Sequence, residues 1–189
     1  MHTEWEATFW PVDKEDVRAR LKAAGATLIY PERLMRRVPF HLHPDAPLKK
    51  AWARVRDEGD KITMSIKQSG DSIEEQKELE IEVSSFDDAV QMLRDLGCIE
   101  RGYQETRREL WRLQGTDVTI DEWPHIEPLI EIEGVSEEMV RNAAETLGFD
   151  WNNAVFDSVD LFYSRKYGVE RHALTLTSNP LTFHDPLPF

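Results

Sequence analysis

The sequence predicts an α+β domain in which eight strands carry charge on one face and three amphipathic helices cover the other. Three observations predict it. Apolar and charged residues alternate at Glu4-Trp5-Glu6-Ala7-Thr8-Phe9, around Arg54 and Arg56, through Glu78, Glu80 and Glu82, and at Glu131 and Glu133. Side chains of a strand point to opposite sides at every second residue, so each set lines one surface. Three segments with helical spacing each begin at Asp or Ser and stop at Gly. Glu58-Gly59-Asp60 and Gln114-Gly115-Thr116 read as tight turns between strands.

The strands are expected at Glu4–Trp10, Met35–Leu42, Ala51–Asp57, Lys61–Lys67, Lys77–Val83, Thr106–Leu113, Asp117–Trp123 and Leu129–Glu133. The first helix runs from Lys14 to Ala24 behind an Asp13 cap and ends at Gly25. The second follows Ser85 and ends at Gly97, with Phe86, Ala89, Val90, Leu93 and Leu96 forming one apolar stripe. The third follows Ser136 and ends at Gly148, with Met139, Val140, Ala143, Ala144 and Leu147 doing the same. Side-chain oxygens satisfy orphan amides at a helix start, and glycine suits the turn that ends a helix. The helix stripes need apolar sheet faces, and Ile62, Met64 and Ile66, or Leu79, Ile81 and Val83, supply them. The opposite faces gather carboxylates with cations, a lining suited to a metal ion beside a polyanion. Alternation alone fits a half-solvated sheet or one closed around a lumen; closure removes edges, and eight strands suffice for it.

The chain has 189 residues, enough for one sizeable domain. Its formal charge of -13 lacks the basic footprint of general nucleic-acid binding, yet a cleft can hold a local field of opposite sign. Cys98 is the only cysteine, which excludes an internal disulfide and a cysteine-based zinc site. With no leader and no apolar run of membrane-spanning length, a cytoplasmic protein that does not engage membranes is expected. Residues 1–168 form the predicted domain. Residues 169–189 read as a loosely ordered extension, or one docked through Phe183 and Phe189 on the domain or on a second subunit.

An ordered set of motifs then narrows the reading. It comprises Glu4-x-Glu6, Arg54-Val55-Arg56 followed by Lys67, Glu80-Ile81-Glu82-Val83 before a helix, Arg108-Glu109-Leu110-Trp111, Asp121-Glu122-Trp123-Pro124 and Glu131-Ile132-Glu133-Gly134. In order and spacing this set resembles the CYTH superfamily, the triphosphate tunnel metalloenzymes, over about residues 1–165. The resemblance implies a closed eight-stranded antiparallel barrel with a hydrophilic tunnel, a small triphosphate substrate, Mg²⁺ or Mn²⁺, and in many members a homodimer. It implies catalytic roles for Glu4, Glu6 and Lys67, and triphosphate contacts from Arg54, Arg56, Lys67, Arg108 and, more weakly, Arg36. Metal ligands would come from Glu4, Glu6, Glu80, Glu82, Glu131 and Glu133. Three positions depart from the family pattern: Thr8 stands where a lysine is usual, Thr106 precedes Arg108, and Glu78 precedes Glu80 where relatives are often basic. Neighbouring Lys77 and Arg107 are offset by one residue and should point away. Trp52, Trp111 and Trp123 are expected in the core before any role in stacking on a ligand ring. The expected function is metal-dependent hydrolysis of a small triphosphate. The alternatives are an adenylyl cyclase of class IV and a module that binds triphosphate or polyphosphate without turnover.

Overall fold

A computed structural model describes residues 1–68, 73–171, 173–176 and 179–189, with backbone only at 175 and 176. Residues 69–72, and residues 172, 177 and 178 of the expected extension, lie outside the described residues. In chain order the strands are β1 (His2–Thr3), β2 (Trp5–Phe9), β3 (Thr27–His41), β4 (Ala51–Asp57), β5 (Ile62–Gln68), β6 (Lys77–Val83), β7 (Ile99–Glu100), β8 (Gln104–Leu113), β9 (Thr116–Glu122) and β10 (Leu129–Gly134). The helices are α1 (Lys14–Ala23), α2 (Phe86–Asp95), α3 (Glu137–Thr146), α4 (Asp160–Tyr167) and the short α5 (Ala173–Leu176).

One antiparallel sheet runs β1-β6-β5-β4-β3-β8-β9-β10-β2, with β7 added to β3. Its two ends belong to one N-terminal stretch: His2 and Thr3 pair with β6, while Trp5 to Phe9 pair with β10. Between them the Glu4 amide donates to the Gln76 carbonyl at 2.9 Å. The N-terminal stretch therefore joins the ends of the sheet into a nearly closed barrel. The eight strands expected from sequence are nine along this path because His2–Thr3, ahead of the expected first strand, also pairs.

The helices begin where the sequence places them. Asp13, Ser85 and Ser136 accept from the amides of Asp16, Asp88 and Met139. After α2, Gly97 takes φ +79°, a conformation that favours glycine, and a Cβ there would lie 2.9 Å from the half-exposed His43 ring, which would have to shift. α1 and α3 cover the outer face of β2 and β8 to β10, burying Val17, Leu21, Val140, Ala143, Ala144 and Leu147 against Ala7, Phe9, Ile130 and Ile132. α2 covers β3 to β5, with Phe86, Ala89, Val90 and Leu93 on Val38, Phe40, Ala53 and Val55. Each fully buried Val, Leu, Ile or Phe side chain among these contributes about 1.5–3 kcal/mol. These two cores lie outside the barrel, which leaves the interior between them to polar groups.

Two segments differ from the sequence reading. β3 starts at Thr27, not Met35, because Pro31 is carried at register shifts between Leu28, Tyr30 and Arg33. A proline that reads as a strand breaker is tolerated at such a bulge. α4 was not expected, since its buried residues Asp160, Phe162 and Tyr163 follow no helical stripe. Parts of the extension are packed against the domain. Leu174 and Leu181 are buried beside Trp123, Leu129, Phe162 and Tyr163, and the ring of Phe189 lies 6.1 Å from that of Tyr163. Replacing fully buried Leu21 by Ala should cost about 2–5 kcal/mol in chemical denaturation. Leu96→Ala, at a site 66% exposed, should change stability by less than about 0.5 kcal/mol.

Candidate functional site

The site is the barrel interior, and strand parity fills it. With Ala7, Phe9, Ala53, Val55, Ile130 and Ile132 packed outward, Glu6, Thr8, Arg54, Arg56, Glu131 and Glu133 must point inward. Following the sheet around, three consecutive strands carry arginine: Arg108 on β8, Arg37 on β3, and Arg54 with Arg56 on β4. The other side carries acid: Asp121 on β9, Glu131 and Glu133 on β10, Glu4 and Glu6 at β2, and Glu78 with Glu80 on β6. Lys67 on β5 sits where the walls meet, 2.5 Å from Glu4 and 3.4 Å from Glu78.

The acidic wall contains a cation-shaped trio. One carboxylate oxygen each from Glu4, Glu6 and Glu133 lies within 4.8 Å of the others. Glu6 and Glu133 are direct cross-strand neighbours, a like-charge pairing that is unfavourable by itself. Burial, opposed by Lys67 and aided by Glu78, pushes Glu4 up to about 7. Burial and the charge of Glu131 push Glu6 well above the usual carboxylate range, and burial raises Glu133 too. These groups resist ionising together, and oxygen ligands at this spacing fit a hard divalent ion such as Mg²⁺ or Mn²⁺.

The other predicted metal ligands are held differently. Glu131 is bonded by Arg108, which also grips Asp121 at 2.6 and 2.8 Å. Burial pushes Asp121 up to about 6 against the pull of Arg108, whereas Glu131 is lowered, its burial outweighed by Arg108 and Lys67. Glu80 lies 3.4 Å from Arg54 and 3.8 Å from Arg56, and Glu82 is at the exposed end of β6. Glu78 is lowered to about 2: burial would raise it, but Lys67 and Arg54 dominate.

The cationic wall is as unbalanced as the acidic one. Arg56 has Glu58 at 2.7 Å, and Arg54 has Glu78 and Glu80 only at 3.4 Å, with its Nε buried and without a hydrogen-bond partner among the described residues. Arg37 donates its Nε to Gln104 Oε1 at 2.9 Å and stacks 4.3 Å above the Trp123 ring. No carboxylate ion-pairs with it among the described residues. Burial, then the charges of Arg54 and Arg56, drive Arg37 well below the ordinary guanidinium range. Burial, Arg54 and Arg108 lower Arg56 as well. Such a field is relieved by an anion with several negative oxygens.

Arg36 is a correction. It lies on the outer face, 2.9 Å from Asp57 and 4.8 Å over the Phe86 ring, and does not reach the lumen. Sequence reading chose the wrong member of the Arg36-Arg37 pair, although parity held the answer: Val38 and Phe40 pack outward, and Arg36 shares their parity. Asp121 and Glu58 were also missed as lumen groups. Arg107 is outside on Glu122, and Lys77 is exposed, as their offset requires. Thr8 is buried opposite Glu131. Trp111 lies in the outer core, Trp123 is buried behind Arg37, and half-buried Trp52 backs Arg54 at 5.8 Å.

Known proteins place this architecture. PH1012 from Pyrococcus horikoshii is 22% identical, with a TM-score of 0.70 over 82% of this chain and 96% of its own. A proposed adenylate cyclase from Vibrio parahaemolyticus is 12% identical, with a TM-score of 0.71 over 86% and 98%. HpAC1 from Hippeastrum, whose dominant activity is that of a triphosphatase, is 15% identical, with a TM-score of 0.54 over 88% and 97%. At such identities the likeness is one of fold. No functionally curated protein matches the sequence. The sequence model of the CYTH domain matches residues 40–155, more than half of the chain, and with its charged, nearly closed barrel this chain belongs to the CYTH family.

Proposed function

We propose that the protein hydrolyses small triphosphate compounds with the help of a divalent cation. The observation that carries this reading is the segregation of charge in the lumen: a buried arginine wall short of anions faces a carboxylate trio short of a cation. A triphosphate with its metal satisfies both walls together. The triphosphatase activity of HpAC1, on the same fold, supports the reading.

Arg37, Arg54 and Arg56 would bind the terminal phosphate, and Arg108 and Lys67 the oxygens further along the chain. Phosphoryl transfer asks a protein mainly for positioning and for neutralisation of charge. Hydrolysis joins a water oxygen to the terminal phosphorus and breaks the bond to the bridging oxygen. The departing phosphate chain gains negative charge beside Lys67, whose own pKa burial opposes but Glu6 and Glu4 raise, so it stays cationic. Glu4, Glu6 and Glu133 would hold Mg²⁺ or Mn²⁺, which when bound supplies Lewis-acid polarisation and acidifies its water. Glu80, Glu82 and Glu131 serve this reading as electrostatic neighbours, not direct ligands.

Thr8 favours a second reading, a module that binds triphosphate or polyphosphate without turnover. A hydroxyl replaces a charge at a buried position, and one lost charge-assisted contact costs about 1.5–3 kcal/mol, roughly tenfold to a hundredfold in rate. Tripolyphosphate, thiamine triphosphate and ATP with Mg²⁺ or Mn²⁺ separate the readings. Orthophosphate release supports hydrolysis, cyclic AMP with pyrophosphate would assign an adenylyl cyclase, and tight binding without product would assign a binding module.

Two expectations follow from the walls. Arg37→Met should weaken tripolyphosphate binding by about tenfold to a hundredfold, while Arg36→Met changes it less than about twofold; equal losses at both positions would refute the assignment of the lumen face. The second concerns pH. A carboxyl raised from 4.5 to about 7 keeps its proton in the native state where the unfolded chain has lost it. Stability without metal should therefore fall as pH rises from about 4.5 to 7, by roughly 3 kcal/mol from Glu4. A cation needs these groups deprotonated, so its stabilisation grows over the same window. At about 100 times its Kd, Mn²⁺ should raise Tm by roughly 5–10 °C at pH 7.5. The rise should be much smaller at pH 5 and largely lost in Glu4→Gln/Glu6→Gln. A rise of equal size at both pH values would remove the trio as the metal site.

A further inference from the structure

The lumen arginines are not held alike. Arg108 is gripped by Asp121 at 2.6 and 2.8 Å. Arg56 donates from Nε and Nη2 to one oxygen of Glu58, at 2.9 and 2.7 Å. Arg54 reaches carboxylates only at 3.4 Å, and Arg37 has none among the described residues. The holder of Arg108 lies on the neighbouring strand. The holder of Arg56 lies in a turn.

Turn carboxylates are ordinarily solvated, and the Asp60 side chain in the same turn is 64% exposed. Glu58 is only 4% exposed. Its backbone explains the difference. Glu58 continues the inward parity of Arg54 and Arg56 just past the end of β4. Its amide donates to the Lys61 carbonyl at 2.9 Å, Gly59 turns the chain at φ +92°, and the Gly59 amide donates to Asp57 Oδ1 at 2.8 Å. β3 pins the turn from alongside. Arg36 lies 2.9 Å from Asp57 and Arg33 lies 2.9 Å from Asp60, the Arg33 guanidinium resting 3.7 Å over the Tyr30 ring. The Glu58 carboxylate is thereby returned to the lumen. One oxygen takes Arg56 and lies 3.5 Å from the Thr63 hydroxyl, and the other faces Arg33 and Lys61 at 4.0 and 3.9 Å. Burial would raise Glu58, but Arg56 and Lys61 outweigh it and hold it below the usual carboxylate range.

We propose that Glu58 is a positioning residue for phosphoryl transfer: it fixes the Arg56 guanidinium by its Nε–Nη2 edge, so that the remaining edge is presented to the transferring phosphate. This rests on the triphosphate hydrolysis proposed above and adds to it a residue that acts only through Arg56. The competing account is that Glu58 merely neutralises a buried cation. Charge and orientation make opposite demands here. A carboxylate 2.7 Å from Arg56 weakens the pull of that guanidinium on phosphate, so its charge opposes substrate binding. Its acceptor oxygen raises turnover, since a planar fork stabilises the reacting group only when it is aimed.

The test is steady-state hydrolysis of tripolyphosphate with Mn²⁺, read as orthophosphate, with thermal unfolding followed in parallel. Glu58→Met and Glu58→Gln both remove the charge, but only glutamine keeps an oxygen that accepts from Arg56. Glu58→Met should lower kcat by about tenfold or more, with KM within about twofold of the wild type or lower, a split that loss of substrate binding does not give. Glu58→Gln should recover kcat to at least about threefold above Glu58→Met. In the Arg56→Met background, Glu58→Met should change kcat less than about twofold, because no fork is left to orient. If Glu58→Met does not fold, Glu58→Ala takes its place with the same expectations. A smaller kcat loss, a KM raised more than about twofold, equal turnover in the Met and Gln variants, or a loss repeated in the Arg56→Met background would overturn the proposal. Absence of turnover in the wild type would remove the hydrolase reading and this inference together, and it is seen before any substitution is compared.

Discussion

Burying like charges on the same wall is the constraint on which the rest of this structure depends. Removing one ion from water costs several kcal/mol even after relaxation, and repulsion from a buried neighbour of the same sign adds to it. Here Arg37 feels Arg54, Arg56 and Arg108, while Glu6 feels Glu131, Glu4 and Glu133. Cross-wall pairs such as Arg108 with Asp121 and Lys67 with Glu4 relieve part of the cost. The remainder is borne by the fold.

The architecture can hold this arrangement because the hydrophobic cores under α1, α2 and α3 lie outside the sheet. α1 and α3 clamp one side of the barrel and α2 another, each against the outward residues of strands whose inward residues are charged. Apolar packing and the charged lumen are thus assigned to opposite parities of the same strands. A one-residue slip in register would exchange them, so the outward apolar residues fix the site as firmly as the lumen residues compose it. The N-terminal stretch has a double duty: its ends join the sheet, and Glu4 and Glu6 between them enter the acidic trio.

Parity shows how legible the site was. The alternation around Glu4, Arg54, Glu131 and their neighbours is local, and it led correctly to inward-facing groups. The same signal distinguishes Arg37 from Arg36 once Val38 and Phe40 are recognised as outward, but the pair stands at the start of the expected strand, because the first half of β3 is disguised by Pro31 and two register shifts. Asp121 was visible within a motif, yet its role as the partner of Arg108 depends on β8 and β9 lying side by side. The separation of Glu4, Glu6 and Glu133 from Glu80, Glu82 and Glu131 could not be read from spacing, because the choice depends on which arginine reaches which carboxylate across the lumen.

By itself the sequence determined the elements with local causes: three helices between a capping Ser or Asp and a terminal glycine, strands with one apolar and one charged face, and the ordered motifs that mark the family. Tertiary structure decided what depends on partners distant in the chain. It decided that the sheet's ends meet in one N-terminal stretch, that acids and arginines gather on separate walls, and that parts of the C-terminal segment pack against the domain. The reason is physical: a side chain's direction follows from its own backbone, whereas what it faces across a barrel follows from register and closure summed over every strand between.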